Sequence, residues 1–260
     1  MYFALVIASL IVGTLIGTVG VGGILLIPAL SAFAGLSTHT AMATALFSFI
    51  FTGVIGTWLY HRRGSIDWRI TIPVCMGGAL FGYIGALCNS MFDARTLNIL
   101  LAGVIIFAGV YALKPYSGDR TFAFDASSKR HQFLLIGIGG AVGFGSGLTG
   151  VGGPVLSVPL MVIIGFSPLT AIATSQVIQI TAAISGTIGN LAYGSIDFSV
   201  ASWVTVVELV GVMIGVNIAH AAKAQHLKTF VSGICIFVGG FILIKALGLL
   251  NVAASVTTHM

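Results

Sequence analysis

Two apolar runs, residues 2–36 and 133–166, are each about 35 residues long. As one helix, such a run would reach about 50 Å, well beyond a hydrocarbon core of ~30 Å. Glycines interrupt both runs near the middle, as GTVGVGG at 17–23 and GLTGVGG at 147–153. Glycine costs roughly 1 kcal/mol against alanine in a helix interior, so a clustered run of them favours a break. Each long run therefore reads as two short helices meeting at the glycines, either as a re-entrant hairpin or as a pair of spans.

The remaining apolar runs fall at 40–60, 70–88 and 96–113 in the first half, and at 170–193, 199–220 and 228–249 in the second. Most match one bilayer thickness. Only 7% of the 260 residues are charged and 57% are hydrophobic, whereas soluble domains carry about 25% charged residues. The fold class is an all-α polytopic membrane protein. A net charge of +5, scattered over short loops, does not point to nucleic acid. No secretory signal is evident ahead of the first run, which has an internal counterpart and is expected to be retained.

The two halves are copies. At an offset of 130, Gly13–Trp68 aligns without gaps on Gly143–Phe198, and 21 of 56 pairs are identical. The matches include GVGG (20–23, 150–153), TA-AT (40–44, 170–174) and GSID (64–67, 194–197). The units are 1–130, with segments 2–19, 22–36, 40–60, 70–88 and 96–113, and 131–260, with segments 133–149, 153–166, 170–193, 199–220 and 228–249.

Charge selects a topology. The basic loops are 61–69 (His61, Arg62, Arg63, Arg69), 114–131 (Lys114, Arg120, Lys129, Arg130) and 220–228 (Lys223, Lys228). The positive-inside rule wants all three in the cytoplasm. That holds only if each long run returns to the side it came from, which leaves both termini and loop 194–198 outside. Each unit then crosses an odd number of times, so the two are inverted relative to one another. Lys245 stands against this scheme. Inverted repeats with broken helices are a pattern of secondary transporters in the cell's inner (plasma) membrane.

Irregular backbone survives in a bilayer only where it faces protein or water. A helix starting at Gly23 or at Gly153-Pro154 would aim free N–H groups and a partial positive charge into an internal cavity, which suits an anion. Gly20, Gly22, Gly23, Gly150, Gly152 and Gly153 are the candidate backbone donors. Thr40, Thr44 and Ser48 recur every four residues on one helix face. Thr170, Thr174, Ser175, Gln176 and Gln179 cluster likewise. Uncharged hydroxyl and amide groups can hold an anion and release it. Glycine packing between helices and Ser/Thr bonding to backbone are the plainer alternatives. Thr38 and His39 fall at the mouth, as a gate or as a helix start, and Asp67 and Asp197 read as N-caps.

Glu208 lies ten residues into an apolar run, opposite Gly78 in the repeat. Intramembrane carboxylates are rare and are functional by default. Coupling to protons is its candidate role, beside a structural bond to a neighbouring helix. Asn190 and Asn217 have weaker claims.

The overlong first run with G-x-G-G, a proline shortly after (Pro28, Pro159), and A-x-A-T or A-x-A-T-S opening the next helix (Ala41–Thr44, Ala171–Ser175) resemble the TauE/SafE sulfite exporter family, also grouped as sulfonate-uptake permeases. The resemblance covers essentially the whole chain. It implies a secondary transporter for sulfite, sulfonates, sulfoacetate or thiosulfate, and points to Gly20, Gly22, Gly23, Gly150, Gly152, Gly153, Thr44, Thr174 and Ser175. Ala45 stands where the second copy has Ser175.

Two other classes compete. A cysteine-based membrane thiol oxidoreductase would want cysteines at equivalent places, but Cys75, Cys88 and Cys235 face Thr205, Ile218 and Ile105. A carrier for an unrelated small ion, such as a cation, would want more buried carboxylates. No metal-type spacing, cofactor motif, catalytic constellation or Walker-type phosphate loop is present. The expected partners are a small sulfur oxyanion and the lipid bilayer, and the residues leave open whether a homodimer forms.

Overall fold

Leu, Ile, Val, Ala and Phe fill each run, and in hydrocarbon an α-helix satisfies every backbone group within its own segment. The computed structural model describes residues 2–20, 22–88, 128–149, 152–191 and 195–247, with isolated positions between 96 and 110. The described elements are all helices: α1 (Tyr2–Val19), α2 (Gly23–Ala34), α3 (Thr38–Arg62), α4 (Trp68–Cys88), α5 (Lys129–Thr149), α6 (Pro154–Ile164), α7 (Pro168–Leu191), α8 (Phe198–Ala221) and α9 (Ala224–Ala246). Most of the expected segment 96–113 and of loop 114–131, together with Gly150, lie outside the described residues. Among the described helices, three contain stretches long and apolar enough to cross a membrane: Ala43–Arg62, Pro168–Ile188 and Phe198–Ala221.

Both long runs are broken at the glycines, and the two pieces are unequal. α1 has 18 residues and spans about 27 Å, while α2 has 12 and spans about 18 Å. In the second copy α5 has 21 residues and α6 only 11. The second piece of each run is a half-helix, shorter than the hydrocarbon core. Six starts fall earlier than the apolar runs suggested: α3 begins at Thr38 rather than 40, α4 at Trp68 rather than 70, α5 at Lys129 rather than 133, α7 at Pro168 rather than 170, α8 at Phe198 rather than 199, and α9 at Ala224 rather than 228. Polar residues such as Lys129, Arg130 and Gln132 form helix readily, so a helix extends past the point where its apolar run ends.

Equivalent residues build equivalent ends. Gly35 (φ +69°) and Gly165 (φ +112°) close α2 and α6 in the left-handed region. Ser37 then accepts from Thr40 N at 3.3 Å, and Ser167 accepts from Thr170 N at 3.1 Å. Asp197 caps α8 by accepting from Val200 N at 3.0 Å, and Asp67 Oδ1 accepts from Arg69 N at 2.9 Å.

The outer face is apolar, and polar side chains are buried among apolar ones. Ile72, Met76, Leu80 and Ile84, four residues apart on α4, are 53%, 62%, 63% and 38% exposed, while Ser48, Thr52, Thr174, Ser175, Gln176 and Glu208 are buried. An apolar outer face, with polar groups kept inside where they find partners, is what lipid demands.

Helix pairing follows the repeat. α1 packs on α8 as α5 packs on α4, α3 packs on α8 as α7 packs on α4, and α3 meets α7. At the first two contacts, backbone touches backbone. A Cβ at Gly13 or Gly17 of α1 would strike the α8 backbone at Glu208 or Val212, and one at Gly211 or Gly215 would strike α1. The α4–α5 contact repeats this: a Cβ at Gly77 or Gly85 would strike the α5 backbone at Ile136 or Phe144, and one at Gly139 or Gly143 would strike the α4 backbone at Val74 or Gly78. Glycines four apart allow this approach.

Gly143→Ala should lower stability by about 1–3 kcal/mol, because the added methyl meets the Gly78 backbone. Gly137→Ala has open space and should be neutral or stabilising. Thermal unfolding of the purified protein in detergent compares them. Equal shifts would contradict the close α4–α5 contact.

Candidate functional site: the paired helix breaks

The two breaks meet. After α1, Gly20 takes φ +76° while its N–H donates to Ile16 O at 3.0 Å. A Cβ on Gly20 would lie 2.8 Å from Ser175 Oγ of α7, 3.0 Å from Val158 Cγ2 and 3.4 Å from Pro154 Cβ, both in α6. The motif serine of one copy and the half-helix that follows its break thus press on the broken backbone of the other copy. Between them is a cavity of about 10 Å³, lined by Ile16, Gly20, Gly23, Phe49, Gly152, Pro154, Val155 and Gln179. That is close to the room one water needs, so a larger guest requires the helices to part.

Two half-helices begin at this cavity. α2 starts from Gly22 and α6 from Gly153, and neither cap residue offers a side-chain acceptor to the first turn. Pro154 at the start of α6 has no N–H to satisfy. Such starts carry a partial positive charge and amides that an anion can occupy.

Buried amide side chains of α7 brace the broken backbone. Gln176 Nε2 donates to Ile16 O at 2.9 Å, holding the last turn of α1, and its side chain fills the space opposite Gly56. Gln179 Nε2 donates to Phe49 O at 3.1 Å and to Thr52 Oγ1 at 2.8 Å, tying α7 to α3. Tyr60, fully buried, donates from its hydroxyl to Gly17 O at 2.7 Å.

The hydroxyl residues divide between different places. Ser175 lies against Gly20 and donates to Ile172 O at 2.7 Å. Thr174 pairs with Thr71 across 3.2 Å, joining α7 to α4. Thr44 accepts from Asp197 N at 3.1 Å at the start of α8. Ser48 faces α8, where its Oγ lies 2.7 Å from Glu208 Oε2 and 3.0 Å from Ala45 O. The Thr40–Thr44–Ser48 face of α3 therefore turns toward α8, and Phe49 of α3 lines the cavity instead. Gly22 packs against Val12 and Ile16, and Gly153 against Ile178. His39 belongs to the first turn of α3, and its side chain lies outside the described residues.

Glu208 is fully buried, and its Oε1 has no hydrogen-bond partner among the described residues. Asn217 Oδ1 accepts from Arg63 at the end of α8. Phe49, Ile16 and Val155 carry no sequence signal that separates them from other apolar positions. Tyr60 carries a weak one, since it is a polar aromatic whose repeat mate is Asn190.

An apolar outer face, interrupted helices and a buried cavity where the interruptions meet describe a membrane transporter rather than an enzyme. The model of the family described as Sulfite exporter TauE/SafE matches residues 5–242, and the chain belongs to that family. Its relatives include the probable membrane transporter protein YdhB of Bacillus subtilis, 25% identical over 86% of this chain and 93% of that one. The probable membrane transporter protein MJ0441 of Methanocaldococcus jannaschii is 26% identical over 92% of this chain and 94% of its own. YunE of B. subtilis, likewise named a probable membrane transporter protein, is 27% identical over 76% and 81%. No solved structure matches the chain.

Gly20 and Gly35 both have positive φ, but only Gly20 faces the other break; Gly35 has open space. Alanine should cost each roughly 1–2 kcal/mol of stability, and only Gly20→Ala should also reduce transport, by tenfold or more. Unfolding and flux measured on the two variants decide it: equal flux would dissociate the break from function.

Proposed function

We propose that the protein is a secondary transporter of small sulfur-containing oxyanions, such as sulfite, sulfonates, sulfoacetate or thiosulfate. The anion binds near the midplane at the paired glycine breaks. The observation that carries this is the meeting of the two breaks and their uncapped half-helix starts around one cavity. Main-chain amides, with Ser175 and Gln179 beside them, suit a tetrahedral or pyramidal oxyanion and need no fixed cation. The family's description as a sulfite exporter supports this substrate class.

Transport proceeds by alternating access between two inverted units, 1–130 and 131–260. Exchange of the units maps the α1–α8 contact onto α5–α4 and the α3–α8 contact onto α7–α4, as any two-fold relating the units requires. Loops 61–69, 114–131 and 220–228 face the cytoplasm of a cell whose plasma membrane holds the protein, with both termini outside. Cysteines introduced at Ser65 and Ser195 should then be labelled from opposite faces in intact cells. Labelling of both from one face would overturn the inversion.

Protons are the coupling ion, carried by Glu208. The Ser48 hydroxyl has one hydrogen, and two acceptors lie within its reach, Ala45 O and Glu208 Oε2. A proton on Glu208 satisfies both, with the carboxyl donating to Ser48 and Ser48 donating to Ala45 O. Glu208→Gln keeps those bonds and removes the exchangeable proton, so it should abolish the response of flux to a pH gradient while anion exchange persists. An unchanged response would reject the role.

Binding is tested on purified protein with sulfite, thiosulfate, sulfoacetate, taurine and sulfate. A cognate anion at 100 times its Kd should stabilise the protein by about 2.7 kcal/mol, visible as a raised thermal midpoint. If all five leave the midpoint unmoved while an unrelated cation raises it, the substrate class is wrong.

A further inference from the structure

A second, larger cavity of about 820 Å³ opens at the loop-61–69 end of the bundle, where Arg63, Ser65, Asp67, Arg69, Thr170 and His220 line it. Arg63 is held in place, donating to Val216 O at 3.1 Å and to Asn217 Oδ1. His220 bridges α8 to the loop, with Nδ1 2.7 Å from Val216 O and Nε2 2.8 Å from Ser65 Oγ. The Arg69 guanidinium is exposed and has no side-chain partner among the described residues. The Asp67 carboxylate is turned to the first turn of α4, where it accepts Arg69 N. The fixed charge of this mouth is two cations against one anion. One helical turn inward, Thr71 and Thr174 meet across 3.2 Å, and Ser175 beyond them touches Gly20. Along α7 the cavity at Thr170 thus lies about one and a half helical turns from the paired breaks at Ser175.

At the equivalent positions of the other unit, by sequence register, the charge is reversed. The counterparts of Arg63, Asp67, Arg69 and His220 are Tyr193, Asp197, Ser199 and Ser90. Asp197 retains its capping role at α8 and has no cationic counterpart beside it in that register. His39 takes the place of Leu169.

We propose that the two mouths are electrostatically polarised, and that the Arg63–Arg69 cavity is a staging site that gathers small oxyanions on the loop-61–69 face only. A charged, low-dielectric cleft raises the local concentration of its counter-ion and its rate of entry. The site does not set the direction of net flux, which the gradients determine; it lowers KM on one face. That transport consequence rests on the oxyanion reading above, while the polarity itself does not.

The polarity is read with charged thiol reagents on detergent-purified protein at pH 8, in a chain whose Cys75, Cys88 and Cys235 are replaced. Ser65→Cys is compared with Ser195→Cys, and Thr170→Cys with Thr40→Cys as a second pair should the first disturb folding. Each is reacted with an anionic sulfonatoethyl and a cationic trimethylammonioethyl methanethiosulfonate. At low salt, the anion-to-cation rate ratio should be roughly 5–10-fold higher at Ser65→Cys than at Ser195→Cys, and the difference should fade near molar salt. Arg69→Gln should cut the ratio at Ser65→Cys several-fold, and Arg69→Lys should preserve it. Equal ratios at the two mouths, or ratios indifferent to salt, overturn the proposal. In proteoliposomes with labelled sulfite, Arg69→Gln should raise KM several-fold from the loop-61–69 face alone and leave kcat unchanged; an equal rise from both faces also overturns it. If the labelling ratios hold and sulfite does not move at all, the polarity stands and the substrate assignment fails.

Discussion

The structure depends on backbone meeting backbone where α1 crosses α8 and where α5 crosses α4. In lipid, apolar side chains gain little by associating, so helices are held by close van der Waals contact and by the few polar bonds that closeness allows. Gly13, Gly17, Gly211 and Gly215 bring α1 and α8 into contact, and Gly77, Gly85, Gly139 and Gly143 do the same for α4 and α5. Both contacts join helices of different units. The halves of the chain are clasped by each other rather than each packed separately.

That clasp makes the broken helices affordable. Each break ends one helix and starts another inside the bundle, and backbone groups there would be costly in hydrocarbon. Polar residues from the opposite side of the bundle meet that cost. Gln176 supports the end of α1, Tyr60 bonds to Gly17 O, and Gln179 anchors α7 to α3. Gly20 and Gly152 carry the backbone through conformations that side chains resist. What remains uncapped, the starts of α2 and α6, is the chemistry available to an anion.

Much was legible in the sequence. The breaks followed from length, because a 35-residue apolar run cannot be one span, and their positions from the glycines, where it yields. Asp197 read correctly as an N-cap because Gly-Ser-Ile-Asp ahead of an apolar run has few other uses. Spacing misled on α3. Thr40, Thr44 and Ser48 do share a face, but periodicity says which residues lie together and not which neighbour they meet; α8 lies against that face, and Phe49 faces the cavity. The inequality of α1 and α2 was likewise hidden, since apolar residues continue on both sides of the glycines.

The sequence by itself determined a membrane-embedded helical chain in two related units, the two interruptions, and an isolated carboxylate at position 208. Those follow from hydropathy, length and repetition, which are properties of one strand of text. Only the tertiary structure decided that the interruptions share a cavity, that Ser175 serves the opposite unit's break, that Ser48 belongs to Glu208, and that Arg63 and Arg69 open onto a mouth above Thr71 and Thr174. These are contacts between residues far apart in the chain, and they are fixed by which helix faces can approach closely enough to touch.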